Sequence, residues 1–197
     1  MMKSNTTRKL ATTLVVVGAA AFLVAQSDDE PKYLGVEACK TCHTKDYLDK
    51  FDDEGERLST YGVWKKNDHS RSFETLKTDV AKAVAENYGV ENPETAEECL
   101  QCHAPHFDLP EVRTAETFDY RDGVQCETCH GAAEDYLTLH NLKSKQEEAR
   151  LAGLVKPDSK IEWCKTCHDD HHASDPIPDF TPFDFERDWE IMSHTGL

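Results

Sequence analysis

Apolar residues occur in this chain as one continuous run near the start and, after it, only as short interrupted stripes. The run Leu10 to Ala25 is apolar apart from Thr12 and Thr13, follows the positive residues Lys3, Arg8 and Lys9, and ends in the small-x-small triplet Ala25-Gln26-Ser27 ahead of Asp28-Asp29-Glu30. That order is a targeting segment, so residues 1–27 are expected to be cleaved as a signal peptide, leaving 28–197 as one domain. The run is shorter than the roughly 20 residues that cross a bilayer, so no stable membrane span is expected. The protein is therefore expected outside the cytoplasm, periplasmic or extracellular.

Beyond residue 27 the pattern predicts short helices and long loops. Phe73, Leu76, Val80, Val84 and Tyr88 recur every three or four residues, which predicts one helical stripe from Ser72 to Tyr88, closed at Gly89. Ser144 and Glu147 read as a capping box opening a second helix over Lys145 to Ala152, with Gly153 and Pro157 ending it. Asp49 to Glu56 reads as a solvated acidic loop. Pro176 to Phe183 reads as an extended, proline-rich strap that leads into a last helix and brings aromatic side chains to the core. No strand ladder is predicted, so the fold class is mainly α with extensive loops.

Composition adds a constraint. Hydrophobic residues make up only 38% of the 197, a thin supply for an ordinary core unless something other than side chains fills the middle. The formal net charge is -16, and loss of the three positive charges of the targeting segment takes it to -19. A field of that sign repels phosphates, which excludes nucleic acid as the main partner.

The eight cysteines show what fills the middle. They fall into four copies of one pattern, C-x-x-C-H: Cys39, Cys42 and His43; Cys99, Cys102 and His103; Cys126, Cys129 and His130; Cys164, Cys167 and His168. This is the attachment motif of haem c. Two thiols three residues apart on one turn reach both vinyl groups of a porphyrin, and the next residue places its imidazole under the iron. Tetrahedral zinc also uses C-x-x-C pairs but does not need a histidine directly after each one. With histidine at about one residue in twenty, four such coincidences arise roughly once in a hundred thousand trials. Loop-stapling disulfides do not have this regular spacing, and the βαβ setting of a thioredoxin-like pair is absent. Four covalently attached haems, forming the core of a small multihaem cytochrome c fold, are expected.

Six further histidines are His69, His106, His140, His171, His172 and His194. Of the three methionines, Met1 and Met2 leave with the targeting segment, so at most Met192 remains as a sulfur ligand. The count predicts predominantly bis-histidine, low-spin haems of low potential. His106 lies three residues past the proximal His103, on the same side of that haem, and is read as a surface or propionate-contacting residue.

Several stretches resemble the tetrahaem cytochrome c554 family: Trp64-Lys65-Lys66-Asn67-Asp68-His69 with the Glu74 to Lys77 helix after it, Gly123 to Gly131 with His140 beyond, and Thr181-Pro182-Phe183 running to His194. The resemblance extends from about Tyr33 to His194. It implies that His69 caps the third haem, His140 the first and His194 the fourth. Relative to that family the chain carries an insertion of roughly a dozen residues before Trp64, a size usual for surface loops. In the family the second haem can be five-coordinate; here His171 or His172 is expected to fill that position.

The resemblance implies single-electron transfer through stacked haems, without a catalytic role, between redox protein partners or to an extracellular acceptor. Two other readings compete. A homopolymer would make the chain a subunit of an extracellular cytochrome filament, with a histidine of one copy on a neighbour's haem. An open second haem would make it a reductase of small nitrogen oxides.

Overall fold

The computed structural model describes residues 30–157, 161–169, 172 and 174–194. The targeting segment and His171 lie outside them.

Three attachment motifs lie on short helices that end at their histidine, and the fourth begins where a short helix ends. The helices are α1 (Val36–His43), α5 (Glu97–His103), α6 (Cys126–His130) and α8 (Ile161–Cys164), the last continued by a turn in which the His168 amide donates to Cys164 O at 2.9 Å. Between them lie α2 (Thr60–Lys66), α3 (Ser72–Thr75), α4 (Asp79–Asn87) and α7 (Gln146–Leu151), and α9 (Phe185–Met192) closes the chain. The predicted mainly helical, loop-rich class is the class observed. No helix among the described residues is long and apolar enough to cross a membrane.

Three expectations are corrected. The stripe from Ser72 to Tyr88 is two helices, because the Thr78 side chain accepts the Ala81 amide and starts α4 afresh. The hydrophobic phase runs on across the break, which is why periodicity alone read it as continuous. Second, a strand pair is present. β1 (Tyr47–Phe51) pairs antiparallel with β2 (Arg57–Ser59), and the acidic run forms the tip of this hairpin. Asp52 organises the tip by accepting the Glu54 and Glu56 amides at 3.2 and 2.7 Å and pairing with Lys66 at 2.5 Å. Third, α7 starts at Gln146 after Lys145, which gives no side-chain cap, and a short turn (Lys143–Lys145) precedes it. The expected box is unused: Glu147 pairs forward with Arg150.

Buried side chains gather in two small groups. Phe73, Leu76, Leu100 and Ala104 form one between α3 and α5, while Ala133, Tyr136 and Ala149 form the other against α7. Among the described residues no large side chain is fully buried. The strap over residues 176–183 lays Phe183 on the ring of His168, with centroids 4.6 Å apart and planes 22° from parallel, before Asp184 caps α9 by accepting the Arg187 amide.

Candidate functional site

Three pairs of imidazoles face one another across the molecule. His43 and His140 are stacked with ring centroids 5.9 Å apart, His130 and His194 at 5.7 Å, and His69 and His168 at 5.8 Å with their Nε2 atoms 3.5 Å apart. Each pair joins one motif histidine to one histidine from elsewhere in the chain. The first matches the pairing that the resemblance implies. The other two are exchanged: His69 faces His168 of the fourth motif, and His194 faces His130 of the third. Sequence separation carries no information about which attachment helix a remote histidine will meet, so only the folded arrangement distinguishes them.

Four of these rings, and that of His103, are held at Nδ1. Nδ1–H of His130 donates to Val155 O and that of His103 to Ser72 O, both at 2.9 Å, and His43 donates to the Asp46 carboxylate at 2.5 Å. His140 and His194 reach the Tyr136 and Met192 carbonyls at 3.3 Å. A second-site partner of this kind fixes the tautomer of a metal-binding imidazole. Burial lowers the pKa of His69, His130, His168 and His194 below the ordinary histidine value, His69 to about 4 with help from the His168 ring. Neutral imidazole is the form that binds a metal.

His69 is carried by the turn after α2 and locked to the segment ahead of α6. The Val124 amide donates to His69 O at 3.0 Å, and Trp64 Nε1–H donates to Val124 O at 2.8 Å. Ser72 ties the same region to the second motif: its hydroxyl lies 3.0 Å from His69 O and 2.8 Å from His103 O, and it accepts from Val124 N at 3.1 Å. Gly123 makes this closeness attainable. At φ +80° it occupies a backbone region that side chains disfavour, and a Cβ there would strike His69 O and Ser72 Oγ.

No two of the eight cysteines are joined as a disulfide. Cys39 of the first motif lies beside Cys126 of the third, and Cys102 of the second beside Cys167 of the fourth. Cys129 of the third is near Cys164 and Cys167 of the fourth. Among the described residues no group of three or more His, Cys, Asp or Glu side chains is arranged to hold a bare metal ion. An open cleft of about 260 Å³ lies beside His168, lined by Lys165, Asp169 and Phe183.

Of the remaining histidines, His172 donates Nδ1–H to Asp175 at 2.5 Å and packs edge-on to Tyr88. His106 stacks on Tyr33 with centroids 4.3 Å apart, its Nε2 buried without a hydrogen-bond partner. It is thus a packed residue and not an open surface one. Glu127, inside the third motif, escaped sequence reasoning. Its buried carboxylate accepts the amides of Leu34, Gly35 and Ala133 at 2.7 to 2.9 Å and ties the segment before α1 to α6. Burial pushes its pKa up against the pull of those amides. A glutamate at an x position of C-x-x-C carries no signal of such a role.

These residues fit haem c. Metal–imidazole bonds run about 2 Å, so two nitrogens on opposite sides of one iron stand about 4 Å apart, close to the 3.5 Å between His69 and His168. The donor set is thioether-forming cysteine pairs with neutral imidazoles, and the buried Nδ1 of His69 has no protein partner. Geometry and donor chemistry thus define a multihaem c-type cytochrome. The family described as cytochrome c554 and c-prime matches residues 38–131. Cytochrome c-554 of Nitrosomonas europaea is 22% identical over 190 residues, covering 85% of this chain and 74% of that protein. No solved structure matches. Both matches agree with the likeness to the tetrahaem cytochrome c554 family, and the chain carries four covalently attached haems c. That likeness points to multihaem electron transfer with redox partners.

Proposed function

We propose that the chain is an exported electron carrier, not an enzyme, in which three of the four haems are held between two imidazoles: His43 with His140, His130 with His194, and His168 with His69. The facing rings carry this reading. The haems, joined through Cys39 and Cys42, Cys99 and Cys102, Cys126 and Cys129, and Cys164 and Cys167, supply reversible one-electron chemistry at iron. The protein's part is to fix the ligands, neutral and aimed, and to set the sites close together. On this reading the attachment sites run first, third, fourth, second, a relay with the second site at one end, which the closeness of Cys39 to Cys126 and of Cys102 to Cys167 supports. Around that relay the thin side-chain core, with its two small clusters, leaves the haems as the main filling. At the second site His103 supplies the proximal imidazole, and His171 or His172 supplies the other, making every haem low-spin.

Paramagnetic resonance on the purified ferric protein tests the proposal. The expected result is four low-spin centres. A stoichiometric high-spin ferric signal would instead assign an open second haem and a reductase.

A further inference from the structure

The two ends of this relay differ in the charges built around them. His43 is held by a carboxylate: Asp46 accepts its Nδ1–H at 2.5 Å and is itself anchored by the Thr60 amide at 3.2 Å. A carboxylate in that position makes an imidazole a stronger donor, which favours ferric over ferrous iron. His103 and His130, by contrast, donate to the neutral carbonyls of Ser72 and Val155.

A second negative group lies between the first and third sites. All four hydrogen bonds at Glu127 are accepted by its oxygens, the pattern of an ionised carboxylate, and the side chain is buried in the link between α1 and α6. It adjoins Cys126 in sequence, and Gly35, whose amide it holds at 2.7 Å, lies with its carbonyl 3.9 Å from Cys39 Sγ, so the carboxylate sits beside the first attachment residues of both sites. Buried charges are weakly screened, so a fixed negative group disfavours the added electron at both. The cation near α1 offsets little: Lys40 is exposed and paired with Glu37 at 3.0 Å. At the fourth site Asp188 acts on His168, but Arg187 neutralises it through two contacts of 2.6 and 2.8 Å.

We propose that Asp46 and Glu127 make the first haem site the lowest in potential and the third the next, so that electrons run downhill from the first site through the third toward the fourth and second. The assignment rests on the four-haem reading above and gives its relay a direction. Reduction adds one electron to each iron from a donor of lower potential, and no bond forms or breaks.

The test is a potentiometric titration at a mediated electrode with each haem followed by its own nuclear resonances, on protein first shown by mass to hold four haems. A mass short of four haems defeats the parent reading, not this one. In the wild type the first haem should reduce last. Asp46→Asn keeps an oxygen for His43 but removes the charge, and should make reduction of the first haem about tenfold more favourable, about 59 mV, leaving the second and fourth unchanged. Glu127→Gln should raise the first and third together, whereas Glu127→Asp, which retains the charge, should leave them near the wild-type values. Should Glu127→Gln fail to assemble, the wild-type order and Asp46→Asn decide the matter. A first haem that is not the lowest, or a low-spin Asp46→Asn protein with an unmoved first potential, overturns the proposal.

Discussion

The Nε2 atoms of His69 and His168 stand 3.5 Å apart although 99 positions separate the two residues in sequence. His69 sits on a short turn pinned to the third motif, yet its ring is turned toward the fourth. Backbone attachment and imidazole therefore serve different sites.

Replacing His69 by alanine should leave one high-spin haem, and the affected haem should be the fourth. His194→Ala should expose the third, and His140→Ala the first. Site-resolved nuclear resonance on each variant reads the assignment directly. If His69→Ala perturbed the third haem while the fourth stayed low-spin, the exchanged pairing would be wrong.

Gly123→Ala should be costly. The residue lies at φ +80°, and the added carbon would meet Ser72 Oγ at 2.6 Å as well as the His69 carbonyl. Backbone strain of this kind costs about 1–3 kcal/mol, before any displacement of His69. Gly89 provides the control, since it has a similar φ of +70° but open space where a Cβ would point. Thermal melts of the two variants should show the larger drop for Gly123→Ala, with a change at the fourth haem that Gly89→Ala lacks.

Ser72→Ala removes one hydroxyl that touches His69 O, His103 O and Val124 N. Loss of that bonding should cost about 1–3 kcal/mol. Denaturant melts followed by visible absorption check the cost. The signature beyond destabilisation is a simultaneous spectral change at the second and fourth haems. A change confined to one would mean that Ser72 does not join the two sites.

The intact mature chain should weigh four haem groups more than its polypeptide and keep that mass through extraction in acidified acetone. Changing both cysteines of one motif to serine should remove one haem. Loss of all four from a single such change would show that the sites do not load independently.

Much of this arrangement was legible before folding, because its chemistry is written in adjacent residues. The attachment motifs, the Gly89 stop and the proline-rich strap depend on local geometry, and each lies where expected. The hairpin was hidden because a run of charged residues around Asp52 hides a turn that one carboxylate organises. The division at Thr78 was hidden because Phe73, Leu76 and Val80 keep helical phase across it. The parts that remained out of reach are relations across long separations. Nothing along the chain tells His69 from His194 as the partner of His168, or marks Glu127 as the tie to Leu34 and Gly35.

The contacts between Cys39 and Cys126, and between Cys102 and Cys167, bear on how the protein is made. Thiols that close in an oxidising compartment join as disulfides through their thiolates, and each such bond here would weld two motifs and leave neither able to take its cofactor. Fixing both sulfurs of every motif as thioethers removes that competing chemistry, so attachment of the cofactor also settles the redox fate of the thiols.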